Sequence, residues 1–200
     1  AFDSAVDRFH VYDPNLGTPK VRRVGLGTPG APTVANTGSG TYAATLRYYR
    51  VRIRIKNGTA VVAQSEPSSS VSFTPSGTGT HAQLTQPTAV NEDETHWVIE
   101  GSTDAATFYE LSEVAIATTT YNDNEVPATD YDDNAPSAVL GAYRVPLSHK
   151  YVIAAFNRIL MAGNFESSPQ SRVYYTPAKG TADRGDDERV PNTLGVRNFF

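Results

Sequence analysis

Four aspartates downstream of residue 121 carry the side chains best suited to binding a cation: Asp123, Asp130, Asp132 and Asp133. Hard cations such as Ca²⁺ prefer clustered carboxylate oxygens, so these residues are a candidate calcium site. The stretch lacks the D-x-D-x-D-G loop with its bidentate glutamate, however. We therefore favour a solvated acidic linker over a metal site.

The residue types of the chain give little support for catalytic chemistry. The chain has no cysteine, which excludes a thiol nucleophile, a disulfide or a zinc–thiolate site. No two histidines have metal-ligand spacing, and no G-x-S-x-G elbow or facing carboxylate pair stands out. The sequence thus predicts no catalytic residue and no cofactor, and we expect a protein that is not an enzyme.

A stripe of cations marks the clearest strand of the chain. Tyr49, Val51, Ile53 and Ile55 alternate with Arg50, Arg52, Arg54 and Lys56. Successive strand side chains point to opposite faces, so one face is apolar and the other cationic. A cationic face is able to grip nucleic acid, but the net charge of −4 argues against a phosphate-binding surface. We favour a solvated face with acidic cross-strand partners, for which Glu66, Glu100, Glu110 and Glu113 are available.

Short strand-like runs separated by turn residues continue on both sides of this strand. The 15 Gly and 13 Pro are spread along the chain, and turn signals recur about every 8 to 12 residues between residues 31 and 125. This spacing is typical of a β-sandwich and predicts an all-β protein. Trp97 lies in one of these runs, where we favour a core position over a sugar-binding platform.

The same region resembles a fibronectin type III domain, and motifs in both of its halves carry the resemblance. In the first half, Tyr49-Arg50-Val51 precedes Glu66-Pro67-Ser68, and in the second half Phe108-Tyr109-Glu110-Leu111 precedes Thr119-Thr120-Tyr121-Asn122-Asp123. Ala105 departs from the glycine that the family often has in the intervening turn. The resemblance implies an immunoglobulin/fibronectin-III-like β-sandwich.

The flanking segments are similar to parts of tailed-bacteriophage virion proteins. Residues 21–32 look like the lead-in to such domains, and residues 157–163 with 171–176 resemble a tail and neck segment that can open a β-propeller. The resemblance implies a virion structural protein of the tail, neck or baseplate. Its partners would be other virion proteins and further copies of itself, in a ring or a fibre.

The predicted organisation has five parts: an N-terminal arm at 1–30, a sandwich at 31–125, an acidic linker at 126–149, a small β-meander at 150–176 and an extended tail at 177–200. Ordering such polar arms requires a partner, so we expect interface residues in the tail, namely Arg184, Arg189, Phe199 and Phe200. No apolar run is long enough to cross a bilayer, so we expect no membrane partner.

Two other interpretations of the sequence stay open. One is an adhesion or carbohydrate-binding module that recognises a host-surface glycan, which requires exposed aromatics near Trp97 or the 122–135 loop. The other is a capsid decoration protein.

Overall fold

In a computed structural model the regular secondary structure of the described residues is almost entirely β-strand, arranged in antiparallel sheets, which confirms the predicted all-β fold. The structure describes residues 2–4, 7–12, 21–23, 25–38, 44–76, 81–125, 127–138, 140, 149–155, 158–164 and 173–175. They fall into two compact units. The sandwich unit comprises residues 28–55 and 67–139, and the second unit comprises the described parts of 1–27, 56–66 and 140–200.

Fourteen strands and two short helical turns are present in the described residues. In chain order they are β1 (Phe2–Ser4), β2 (Asp7–Tyr12), β3 (Val21–Arg23), β4 (Thr33–Thr37), β5 (Arg47–Asn57), β6 (Ala60–Gln64), β7 (Val71–Phe73), β8 (His81–Thr85), β9 (His96–Ser102), β10 (Tyr109–Ala115), β11 (Thr120–Asp123), the helical turn α1 (Pro127–Asp130), a 3₁₀ turn (Tyr131–Asp133), β12 (His149–Ala155), β13 (Arg158–Asn164) and β14 (Val173–Tyr175).

Two sheets make up the sandwich unit. One has the strand order β10-β9-β5, with β7 paired to the start of β5, and the other has the order β11-β8-β4. The apolar face of β5 is buried as predicted, with Tyr49 and Val51 at 0% exposure. Trp97 of β9 and Leu84 of β8 are buried with them. Burial of such side chains contributes roughly 1.5 to 3 kcal/mol each, which holds the two sheets together.

The predicted strands between residues 47 and 123 are all present, with small shifts at their ends. After β5, the turn to β6 consists of Gly58 and Thr59. Gly58 has a φ of 60°, which glycine adopts without a steric penalty. β4, which carries mostly small residues, was not predicted from the sequence.

The second unit contains two three-stranded antiparallel sheets with the orders β1-β2-β3 and β12-β13-β14. The second of these sheets confirms the predicted meander. The first lies within the predicted N-terminal arm, where the described residues pair as strands. The tail 177–200 lies outside the described residues.

Candidate functional site: a buried ionic layer and an exposed apolar face

The arginine stripe of β5 is buried rather than solvated. Arg52 is 0% exposed and Arg50 is 9% exposed, and the Arg54 side chain is 12% exposed. The solvated face expected from the sequence is therefore wrong. The expected acidic partners are largely right, because three of the four candidates form ion pairs with the stripe: Glu100, Glu110 and Glu113. We call these three arginines and three glutamates the ionic layer.

Glu100 of β9 lies between two arginines of β5. The register of the two strands places Glu100 opposite Arg50. Its Oε2 accepts a hydrogen bond from Arg50 Nε, and its Oε1 accepts one from Arg52 Nε at 2.6 Å. Glu100 is itself 0% exposed. A buried carboxylate is costly unless it is paired and hydrogen-bonded, so the two guanidinium groups make the burial of Glu100 possible.

A bulge in β10 brings two glutamates to Arg54. The pairing of β10 with β9 shifts register between Glu110 and Ser112. The extra residue places Glu110 and Glu113 on one face, although an odd spacing normally puts side chains on opposite faces. Arg54 Nη2 donates to Glu110 Oε1 at 2.5 Å, and Nη1 donates to Glu113 Oε2 at 2.8 Å. Burial alone would lower the pKa of Arg54, but the two carboxylates raise it overall, so Arg54 stays charged.

The segment 131–138 lines the outer edge of β10. The Glu110 amide donates to the Ala135 carbonyl at 2.9 Å, and the Ser137 amide donates to the Phe108 carbonyl at 2.9 Å. These bonds pair backbone groups of β10's edge that would otherwise lack a strand neighbour.

The same segment and one aromatic ring help to cover the ionic layer. Arg52 Nη2 donates to the Ala138 carbonyl at 2.8 Å. The Cζ atom of Arg50 lies 3.8 Å from the centroid of the Phe108 ring, a cation–π contact. The arginine face is therefore closed by residues from distant parts of the chain.

A second buried cluster surrounds Asp123 at the end of β11. Its Oδ2 accepts hydrogen bonds from the hydroxyls of Tyr49 and Tyr131, both at 2.5 Å, and from Arg47 Nη1 at 3.1 Å. Its Oδ1 accepts the Glu125 amide at 2.9 Å. The Nη2 of Arg47 has no hydrogen-bond partner within the described part of the chain. We call Arg47, Tyr49, Asp123 and Tyr131 the tyrosine–aspartate cluster.

Burial sets the protonation of this cluster. It raises the pKa of Tyr49 and of Tyr131 well above the ordinary value of 10.0, and the negative charge of Asp123 raises both further. Burial alone would lower the pKa of Arg47, but Tyr49, Tyr131 and Asp123 raise it overall. At neutral pH both hydroxyls are therefore donors and the guanidinium is charged.

The four calcium candidates occupy different surroundings. Asp123 is buried among hydrogen-bond donors, whereas Asp132 and Asp133 are exposed. Asp130 is partly exposed, and its Oδ1 accepts a hydrogen bond from the Thr129 hydroxyl at 2.7 Å. All four aspartates are described, and among the described residues no group of three or more His, Cys, Asp or Glu side chains is placed to hold a metal ion.

Two aromatic candidates for a sugar platform are buried. Trp97 is 0% exposed, and its Nε1 donates to the Thr118 carbonyl at 2.9 Å. This position confirms that Trp97 belongs to the core. Tyr131, in the 122–135 loop, is 2% exposed and bonded within the tyrosine–aspartate cluster. Neither ring is available for stacking on a sugar.

Large apolar side chains are exposed mainly in the second unit. The described residues include six of them, at 44 to 63% exposure: Val21, Leu46, Val61, Leu140, Tyr151 and Ile153. Only Leu46 belongs to the sandwich unit. The interface candidates predicted from the sequence lie outside the described residues: Arg184, Arg189, Phe199 and Phe200. Their role stays a prediction.

The fold defines the chain as an all-β protein with a two-sheet sandwich unit. No helix in the part of the chain that the structure describes is long and apolar enough to span a membrane. No protein-family model matches the chain, and a comparison with curated proteins finds no match.

The tyrosine–aspartate cluster was not predicted from the sequence, although one signal for it was present. The alternation along β5 points Tyr49 into the core, and a buried tyrosine hydroxyl usually needs a hydrogen-bond partner. That partner, Asp123, is 74 residues away along the chain. Only the fold brings the two together.

Proposed function

We propose that this protein is a non-enzymatic structural component of a tailed-bacteriophage virion, in the tail, neck or baseplate, where it contacts neighbouring subunits. The observation that carries the proposal is the contrast between a sandwich unit whose buried charges are largely paired internally and a second unit that exposes large apolar side chains.

The sandwich unit has the properties of a rigid block. Each glutamate of the ionic layer binds an arginine of β5, so these charges are engaged within the fold. Satisfied buried polar networks favour one arrangement of the surrounding side chains. A block of this kind suits a subunit that must keep its shape under load.

The second unit supplies the contact surface. Tyr151 and Ile153 are each 61% exposed and lie two positions apart on β12, on one face of the strand. Contiguous exposed apolar patches on soluble proteins commonly mark interaction sites. The assignment to a phage particle itself rests on the fibronectin-III-like motifs and on the flanking segments similar to tail and neck proteins.

Mass spectrometry of gradient-purified particles, from the phage that encodes this chain, tests the proposal. The chain is expected at a copy number comparable to known tail proteins, while a phage replication enzyme serves as the control that washes away. Antibody labelling in the electron microscope should mark the tail or neck, whereas labelling of the head shell would point to a decoration protein. Abundance in the infected-cell lysate with absence from the particles would overturn the proposal.

A further inference from the structure

The sheet β11-β8-β4 of the sandwich unit turns one face toward the core and the other outward. On its central strand β8, Ala82 and Leu84 are both 0% exposed, so the residues that alternate with them point away from the core. Cross-strand pairing extends this alternation to β4 and β11. The outward residues form a surface that we call the threonine face: Thr33, Ala35, Thr37, His81, Gln83, Thr85, Thr120 and Asn122.

The threonine face is open to solvent and arranged in rows. One row places a threonine on each strand, namely Thr33, Thr85 and Thr120. The next row is centred on Gln83, which pairs with Asn122 on β11. All eight residues are exposed or partly exposed. Because neighbouring strands lie about 4.8 Å apart, these side chains form a closely spaced, regular array.

The residue types of the threonine face are uniform. None of its eight side chains carries a carboxylate, ammonium or guanidinium group, although β4 and β11 are the outer strands of the described sheet and outer strands often carry charges. Four of the side chains are threonine hydroxyls and two are amides. Each of these six groups can both donate and accept hydrogen bonds. The face is therefore free of these ionic groups and rich in hydrogen-bonding groups.

Two amides of the face are fixed before any ligand arrives. Gln83 Nε2 donates to Asn122 Oδ1 at 3.0 Å, from β8 to β11. This bond leaves Gln83 Oε1 as an acceptor and Asn122 Nδ2 as a donor, on neighbouring strands. Because the two amides hold each other in place, less side-chain entropy is lost when a ligand binds.

The chemistry of the threonine face restricts its partner. A nucleic acid would find no cation here for its phosphates, and an apolar surface would bury the hydroxyls and amides without hydrogen bonds. Protein interfaces draw their binding energy mainly from Trp, Tyr and Arg, whereas Thr is under-represented, and interfaces between identical subunits are more apolar still. The ligand that fits is neutral and presents many groups that both donate and accept hydrogen bonds. The hydroxyls of a neutral carbohydrate are such groups.

We propose that the threonine face binds a neutral carbohydrate chain across strands β4, β8 and β11, with Gln83 and Asn122 at the centre of the contact. The two amides bind hydroxyls of one sugar unit, and the row of three threonines binds the next. The face has no Trp, Tyr or Phe, so a single site is weak and repeated copies strengthen attachment through avidity. This ligand goes beyond the proposed structural role.

A densely printed glycan array tests the proposal with the full chain. The array carries neutral glycans of glucose, galactose, mannose and N-acetylglucosamine, together with sialylated and sulfated glycans. The wild type is expected to bind neutral glycans and to leave the sulfated ones unbound. Thr85→Val and Gln83→Leu each remove hydrogen bonds from the centre of the face, and each should weaken binding about 3- to 10-fold in titrations with the best-bound neutral glycan. Circular dichroism of Thr85→Val should stay unchanged, because Thr85 is exposed and Val suits a strand.

Thr74→Val is the matched control for Thr85→Val. Thr74 is an exposed threonine of the same unit that lies outside the threonine face, so this variant should keep the wild-type affinity. If Gln83→Leu fails to fold, the double variant Thr85→Val/Thr120→Val takes its place and should weaken binding at least about 10-fold. Wild-type affinity in the variants of the face would overturn the proposal, since the glycan would then bind elsewhere.

The outcomes distinguish this inference from the proposed function. A chain that is present in particles but binds no neutral glycan would overturn the carbohydrate site and leave the structural role intact. Binding of the sulfated glycans alone, or a density map in which another protein covers the threonine face, would also overturn the site. Absence from particles, in contrast, overturns the proposed function whatever the array shows.

Discussion

Glu100 of β9 and Arg52 of β5 are diagonal neighbours on adjacent strands, with 2.6 Å between Oε1 and Nε, and both side chains are 0% exposed. The contact lies on the side of the sheet that faces away from the two-sheet core, where alternating polar residues normally meet solvent. The sandwich unit therefore has a second buried layer, which is ionic rather than apolar.

Removing the charge of Glu100 should destabilise the sandwich unit strongly. Glu100→Gln keeps the shape but leaves Arg50 and Arg52 without their counter-charge, so the free energy of unfolding should fall by about 3 to 5 kcal/mol. Urea denaturation followed by circular dichroism measures this change. Glu113→Gln is the control, because its side chain is 23% exposed and Arg54 retains Glu110, so the loss should stay below about 1 kcal/mol. Equal losses of unfolding free energy in Glu100→Gln and Glu113→Gln would contradict the central role of Glu100 in the ionic layer.

The two tyrosines of the tyrosine–aspartate cluster should be energetically coupled. Tyr49→Phe and Tyr131→Phe each remove a donor to the same oxygen of Asp123, at an expected cost of about 1 to 2 kcal/mol. The double variant should deviate from the sum of the two by more than about 0.5 kcal/mol, because they share an acceptor. A double-mutant cycle by urea denaturation measures the coupling. Tyr109→Phe is the control, because Tyr109 is not part of the tyrosine–aspartate cluster. Strict additivity of Tyr49→Phe and Tyr131→Phe would show that their two hydroxyls act independently.

Stability should fall at alkaline pH. The pKa of Tyr49 and of Tyr131 is raised by burial above the ordinary value of 10.0, so below pH 10 both are protonated in the folded and the unfolded chain. Above pH 10 the unfolded chain loses these protons first, so stability decreases as pH rises, by about 1.4 kcal/mol per pH unit for each tyrosine. Urea denaturation at a series of alkaline pH values measures the slope.

The Tyr49→Phe/Tyr131→Phe double variant provides the control for this pH dependence. It should keep only the smaller slope due to Tyr121, whose pKa burial also raises. An unchanged slope in the double variant would assign the alkaline instability to other groups.

Adding a methyl group at Gly101 should disturb the packing of the tyrosine–aspartate cluster. An added Cβ would lie 2.5 Å from Leu111 Cδ1 and 2.9 Å from Tyr131 Cε2, so Gly101→Ala must displace the Tyr131 ring or the leucine. We expect a loss of about 1 to 3 kcal/mol in the free energy of unfolding. Gly30→Ala is the matched control, because its nearest atom would be Pro87 Cβ at 3.5 Å, an ordinary contact. A neutral Gly101→Ala would show that Tyr131 is not packed there as described.

Apart from β4, the strands of the sandwich unit were predicted well because their signals are local. The alternation around Val51, for example, is visible within a few residues of sequence. The N-terminal strands were missed because β1 and β3 have only three residues each, and β3 lies between two stretches rich in Gly and Pro. Strands this short depend on pairing with neighbouring strands rather than on the pattern of their own residues.

The burial of the ionic layer could not be predicted in the same way. The cover over Arg52 includes the Ala138 carbonyl, 86 residues further along the chain. The joint use of Glu110 and Glu113 depends on a bulge, which breaks the alternation that the prediction relies on. The charge pattern of the sequence identified the acidic partners of the arginines, but only the tertiary structure shows that these ion pairs are buried.

A density map of the intact particle tests the central claim, a structural role through subunit contacts, most directly. We expect copies of this chain in the tail, neck or baseplate, with Tyr151 and Ile153 covered by a neighbouring subunit. A map without this chain, or one in which its copies leave every exposed apolar residue of the second unit in solvent, would contradict it.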